Sequence, residues 1–427
     1  MNVGDDLIFA ERDNYVWRAF EMRLDKRVAA TMTAVAITWS GAVLAAEKKY
    51  DAGATDTEIK IGNTMPYSGQ GSAWGLLGKA EAAYFEKVNA EGGVNGRKIK
   101  FISYDDAYSP PKTVEQARRL VENDEVLLVF SPFGVPTNTA IHKYMNAKKV
   151  PQLFVGGGGS KWNDPKNFPW TMGFQPSFLN EGRAYGQYLA ANHPYGRIAV
   201  LYQHDDYGKD ILNGLKQGLG PSGPIILSEA SYEVSVPAID SQVVQLRASG
   251  ADIFLNFAGP KFAAQAIRKV AELNWKPTHI LNIPAASIGS VIKPAGFDIS
   301  QGIISGGFLK DPTDPALADD PAVRNYLAFV QKYYPGADVT STANTQGYVM
   351  AQALVQVLKQ AGDNLTRENI MQQASNLKDL ELDMLMTGIK LKTSADDFAP
   401  IKSLQLRRLV GERWQPFGPV IEAGAGP

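Results

Sequence analysis

The chain has 427 residues, no cysteine, 43 Lys and Arg against 44 Asp and Glu, and 44% hydrophobic residues. Ordinary hydrophobicity with 20% charged residues excludes bulk disorder. The lack of cysteine excludes disulfide scaffolds, thiolate metal sites, cysteine nucleophiles and a lipid-bearing cysteine anchor. A net charge of −1 supplies no basic field for nucleic acid, and His142, His193, His204 and His279 do not pair at a metal-ligand spacing, so no cofactor is expected.

Residues 28–46 read VAATMTAVAITWSGAVLAA, uncharged and preceded by Arg23, Lys26 and Arg27. A basic start, an apolar run and closing small residues at Ala45 and Ala46 predict a cleaved secretory signal within residues 1–46, with Met22 as an alternative start. A membrane anchor is the competing reading, but Ala, Thr, Ser and Gly make the run a weak inserter. Cleavage after Ala46 would leave equal numbers of basic and acidic residues. The expected location is the bacterial periplasm.

After the signal, apolar runs alternate with helical periodicity. Ile59–Gly62 begins a strand, and Gly75–Val88 carries an apolar helical face that Gly92 and Gly93 stop. Lys98–Tyr104 is a strand, Lys112–Glu122 a helix, Val126–Phe130 a buried strand, Thr137–Lys148 a helix and Gln152–Val155 a strand. The cycle restarts after Trp170–Phe174 with a helix over Phe178–Ala191, a strand over Ile198–Tyr202 and a helix over Lys209–Leu219. Ser241–Ala248, Ile253–Phe257, Lys261–Leu273, Ile280–Ile283 and Ile288–Ile292 continue the alternation. Helices follow near Val323–Tyr334, Thr345–Gln360 and Arg367–Ser375, then polar strands near 385–392 and 402–414. Strands apolar on both faces and separated by helices predict an α/β protein of two lobes with parallel sheets.

Ligands of open α/β sheets sit beyond the carboxyl ends of the strands. The loops there run from Met65 to Gly75, Ser131 to Asn138, Gly156 to Trp162, Gln203 to Gly208 and Ala258 to Pro260, dense in Gly, Ser and aromatic residues. Such loops suit close backbone approach to a small planar ligand. Gly156–Gly159 lacks the Gly-Lys-Ser/Thr of a phosphate loop, and Ser160 lies in no nucleophile elbow. The acid pairs Asp105-Asp106 and Asp205-Asp206 are expected to cap loops and helices.

At these loops the sequence resembles the periplasmic leucine/isoleucine/valine-binding protein family, the type I solute-binding proteins of ABC importers. The resemblance runs from about residue 55 to the end and rests on IKIG (59–62), the SGxxxxxG loop (68–75), YFEKVNAEGGVNGRKI (84–99), YDDAYSPPKTVEQARRLVEND (104–124) and LYQHDDYGKD (201–210). It implies two Rossmann-like lobes joined by three hinge crossings, lobe one over 55–174 plus 303–380 and lobe two over 175–302 plus 381–427, closing on a ligand. It also implies an ABC permease as partner, a monomer, and no catalysis. By similarity Trp74 is an aromatic over the ligand, and Phe133, Gly134, Val135 and Thr137 form the loop that meets a carboxylate. Gly157 and Gly158 form the next ligand loop, Tyr207 matches the tyrosine of lobe two, and Asn256 and Phe257 match a further aromatic wall.

The family's acid for an α-ammonium should fall near Pro284, but Asn282-Ile-Pro-Ala-Ala286 offers no carboxylate. A buried ammonium without a partner costs several kcal/mol. Trp74, Tyr67, Phe133, Tyr202, Tyr207 and Phe257 are available to sandwich a ring. Helix starts after Val135 and near Ser160 offer amides to a carboxylate, and Gln175, Gln203 and Asn282 offer partners for ring hydroxyls. The expected ligand is therefore an aromatic acid of the benzoate or phenylpropenoate type. An amino-acid or amide-binding member, serving a transporter or a regulator, is the alternative. An enzyme on the same frame would need a nucleophile–base pair or a metal set that the sequence does not offer.

Overall fold

The computed structural model describes residues 48–422. The expected signal segment, and residues 423–427 of the expected second lobe, lie outside the described residues. The chain begins with β1 (Lys49–Tyr50), β2 (Glu58–Met65), α1 (Leu76–Ala90), β3 (Lys98–Asp105), α2 (Pro110–Arg118), β4 (Leu128–Phe130), α3 (Val135–Lys148), β5 (Gln152–Val155) and β6 (Thr171–Gly173). Strands β3-β2-β4-β5-β6 form a five-stranded sheet, parallel throughout. Gly92 and Gly93 end α1 with φ of 107° and 81°, and any Cβ on Gly93 would stand 2.0 Å from the Arg97 carbonyl oxygen, so only glycine makes this turn.

The second run is α4 (Phe178–Asn192), β7 (Arg197–Gln203), α5 (Asp206–Leu219), β8 (Ile225–Tyr232), α6 (Asp240–Ala248), β9 (Ile253–Phe257), α7 (Pro260–Glu272), β10 (Thr278–Leu281), the short α8 (Lys293–Ala295) and β11 (Ile304–Gly307). Then come α9 (Pro321–Tyr333), α10 (Thr342–Ala361), β12 (Asn364–Leu365), α11 (Arg367–Ala374), β13 (Ser403–Val410) and β14 (Arg413–Glu422). The second sheet is ordered β14-β13-β11-β10-β9-β7-β8. Its central strands are parallel, and β13 and β14 add an antiparallel hairpin at one edge. The chain crosses between the sheets three times: after Phe174, after Gly307 and at Ile401, whose amide bonds the Phe174 carbonyl at 3.3 Å.

Several expectations shift. Ile288–Ile292, to which the alternation assigns no type, is a π-helical turn. Near 385–392 only the isolated bridges Leu309–Leu385 and Leu380–Leu391 form. The sequence reading omitted β8, whose side chains alternate toward solvent at a sheet edge, and β11, whose ISGG sequence has little strand propensity. Because β11 pairs with β10, residues 303–307 go with the second sheet, not with lobe one. Asp383 accepts from the Tyr348 hydroxyl on α10, and the Phe398 amide donates to Asn163, so this stretch stays with the first sheet instead of the second lobe assigned to 381–427.

Helices α4 and α5 interlock through glycine. A Cβ on Gly182 or Gly214 would stand 2.0 Å from a carbonyl oxygen of the opposite helix, and one on Gly218 2.2 Å. Asp205 caps α5 by accepting from the Tyr207 and Gly208 amides at 3.0 and 3.3 Å. Among the described residues no helix is long and apolar enough to cross a membrane.

Candidate ligand site

The carboxyl ends of the strands meet across a chamber holding about 680 Å³ of empty space, part of it open to solvent. One wall comes from the first sheet. The loop after β2 closes in a short helical turn, Ser72–Gly75, and presents Trp74, 9% exposed. Tyr108 follows β3 and Phe133 follows β4; their ring centroids lie 5.3 and 5.0 Å from that of Trp74 in tilted contacts. Gly134 turns the chain into α3 at φ 100°, where a Cβ would stand 2.6 Å from both Thr137 Oγ1 and the Tyr108 ring. Gly156 and Gly157 complete this wall after β5.

The opposite wall comes from helix starts over the second sheet. Phe178 opens α4, Tyr207 sits in the first turn of α5, and their rings lie 4.7 Å apart. Tyr207 is held from behind by Asn282. In the amide orientation that satisfies every partner, Asn282 Nδ2 donates to the Asn256 and Ala258 carbonyls at 3.1 and 3.2 Å, and its Oδ1 accepts from the Tyr207 hydroxyl. Burial pushes the Tyr207 and Tyr108 hydroxyls well above their ordinary range, so both are neutral donors. Ile283 and Pro284 close one side and the start of α10 the other, where Gln346 Nε2 donates to Gln175 Oε1 at 2.8 Å. That pairing leaves Gln175 Nε2 and Gln346 Oε1 without a bond among the described residues.

The two sides touch, which makes this a closed arrangement. Trp74 Nε1 reaches the Pro284 carbonyl at 3.5 Å, Lys261 Nζ donates to Gln70 at 2.8 Å, and the Ser160 amide donates to Asp210 at 2.8 Å. Lys161 pairs with Asp206 across the rim.

Of the residues expected at the site, Trp74, Phe133, Gly134, Val135, Gly157, Gln175 and Tyr207 line the chamber together. The others stand elsewhere. Thr137 turns its hydroxyl back onto the Phe133 carbonyl, and Gly158 accepts from the Phe178 amide at 2.6 Å. The Ser160 amide, expected to serve a carboxylate, is taken by Asp210. Asn256 bonds the Ala263 carbonyl, Phe257 stacks on Tyr185 in the core, and Asn282 only supports Tyr207. Tyr202 packs against the core beside β8, and Gln203 is occupied by Asp205 and Tyr232. Tyr67 bonds Ser103 away from the chamber. The acid pairs cap: Asp105 takes the Ser68 and Ala107 amides, and Asp106 the Tyr108 amide and Thr113 hydroxyl.

Sequence reasoning missed Tyr108, Phe178, Ser287 and Gln346. Tyr108 was findable by the rule applied to the other strand ends, whereas Gln346 comes from a helix distant in sequence. Among the described residues lining the chamber, none is charged. A buried acid behind this wall is Glu181, 1% exposed, whose Oε1 accepts from the Ile283 amide at 2.7 Å and the Tyr185 hydroxyl at 2.8 Å. Burial raises this carboxyl to about 7.

A family model described as periplasmic binding protein matches residues 58–413. Leu/Ile/Val-binding protein homolog 7 of Brucella abortus is 23% identical over 314 residues, 70% of this chain and 77% of the relative. The structure of a branched-chain amino acid ABC transporter protein from Thermus thermophilus with bound valine superposes with a TM-score of 0.78 at 14% identity, over 86% of this chain and 97% of that one. A fatty acid ABC transporter substrate-binding protein from Thermomonospora curvata gives 0.73 at 22% identity, over 88% and 95%. The chain belongs to the periplasmic binding protein family.

Proposed function

We propose that the protein captures a small aromatic carboxylate, of the benzoate or phenylpropenoate type, in the periplasm and delivers it as a monomer to an inner-membrane ABC permease. The observation that carries the reading is the chamber wall: three tilted rings on one side, two on the other and no charged side chain among the described residues lining it. A zwitterion would bury its ammonium unpaired there, whereas a flat acid gains ring contacts on both sides. Ligand binding draws an open form to the closed one, because only the closed form brings Trp74 and Tyr207 to one chamber.

The relative with bound valine supports a second reading, an amino-acid ligand. The Thermomonospora protein, described as carrying fatty acid, is a precedent for an acid without an ammonium on this fold. A thermal-shift panel separates them, comparing benzoate, hydroxybenzoates, coumarate and caffeate with Leu, Val, Phe and amides. A ligand at 100 times its dissociation constant adds about 2.7 kcal/mol, a rise of several degrees. A rise with aromatic acids is the expected result; a rise with amino acids alone would overturn it.

A further inference from the structure

Next to the aromatic chamber, at the second crossing between the sheets, lies a smaller and narrow cavity, its empty space of about 290 Å³ including part open to solvent. The two share Thr342, in the first turn of α10. Arg407, on β13, lines the smaller cavity. It is 5% exposed, its Nε is buried without a hydrogen-bond partner, and no carboxylate lies within ion-pair distance of it among the described residues. Its guanidinium lies over the Trp414 ring at 4.9 Å. Burial lowers it to about 10, so it remains a cation at neutral pH.

The groups around Arg407 do not satisfy it. Glu181 is turned to Ile283 and Tyr185. Lys310, in the same cavity, is paired with Asp320 at 2.8 Å. Asp311 gives its Oδ1 to the Thr313 amide and hydroxyl, and its Oδ2 is buried with no partner. Ser341, which precedes α10 and is 2% exposed, also has an unpartnered hydroxyl oxygen. One cavity therefore holds an unmatched cationic donor and an unmatched acceptor, where buried polar groups are ordinarily paired.

We infer that this hinge cavity is the head-group subsite of the ligand: Arg407 receives its carboxylate, Asp311 accepts from a hydroxyl on the neighbouring carbon, and the ring occupies the aromatic chamber. The proposal rests on the aromatic-acid reading of the chamber and narrows it to acids that carry their own donor. It also supplies the charge that the chamber walls lack. A plain carboxylate satisfies Arg407 but leaves Asp311 unmatched, so a donor on the neighbouring carbon is the specificity element, and phenylalanine in the panel tests whether an ammonium serves there as well as a hydroxyl.

The test is calorimetry on the purified wild-type protein and the variants R407M, R407K and D311N, titrated with 3-phenyllactate, 3-phenylpropanoate, phenylalanine and the uncharged 3-phenylpropanol. Wild type is expected to bind phenyllactate about tenfold more tightly than phenylpropanoate, because a hydrogen bond to a charged acceptor is worth that much. R407M should weaken both acids at least about tenfold and leave phenylpropanol unchanged, with R407K intermediate. D311N should erase the difference between the two acids. Equal binding of phenyllactate by wild type and R407M would overturn the proposal and leave the cavity to bridging water.

The two readings fail separately. If phenylalanine binds and phenyllactate does not, the aromatic-acid reading falls while loss of phenylalanine binding in R407M keeps the subsite. If no aromatic compound binds, glycolate alone probes the cavity. A glycolate-dependent thermal rise in wild type that D311N and R407K both reduce supports the subsite; no rise in wild type overturns it.

Discussion

The two walls of the chamber were unequally legible, the first-sheet wall more than the second. On the first-sheet side Trp74, Phe133, Gly134 and Val135 all reach the chamber. On the second-sheet side Tyr207 does, while Tyr202, Asn256 and Phe257 do not. The first group lies in loops beyond strand ends; the second lies within β7 and β9. A strand buried on both faces sends successive side chains into the helix layers above and below, so its residues fill the core even when they sit near a site. Only the turn that follows can face the ligand.

That contrast can be broken in order of effect. Phe257→Ala should cost about 3–5 kcal/mol of stability, seen as a lower unfolding midpoint, because Phe257 is wholly buried against Tyr185. Ligand affinity per folded molecule should hold; a selective loss of affinity would return Phe257 to the site. Trp74→Ala should do the reverse, weakening ligand binding by roughly 2 kcal/mol with a smaller change in the ligand-free midpoint, since Trp74 is a ring on the chamber wall.

A third experiment probes what stands behind the second wall. Glu181 is raised to about 7 by burial, above its model-compound value of 4.5. Its contribution to stability is full below about 4.5 and is lost as pH rises through about 7. Glu181→Gln should therefore flatten the stability profile between those values, and an unchanged slope would show that another group titrates there. The smallest effect belongs to the rim. Lys161 and Asp206 are 34% and 46% exposed, so Lys161→Met should relax closure by under about 1 kcal/mol, and the loss should shrink in high salt. Small-angle scattering of the ligand-free protein would register the shift toward an open form.

Much of the fold was readable because parallel strands are continuous apolar runs and helices keep their period. The elements that escaped were atypical: β11 is ISGG and β8 is a half-exposed edge. At the site, the loop rule found the residues whose positions local sequence determines. It had no purchase on Gln346, Thr342 or Arg407, which arrive from elements more than 100 residues away and meet the site only because the chain crosses between the sheets three times.

The glycine interlock of α4 and α5 has an evolutionary consequence. Phe178 and Tyr207 stand at the starts of two helices that cannot slide, since any side chain at Gly182 or Gly214 would strike backbone. The spacing of these rings is inherited from the helix pair and not from the rings themselves. New ligand preferences can then arise by exchanging single side chains at the helix starts, with the scaffold that presents them left untouched. Descendants of this chain could diversify in cargo on an unchanged frame.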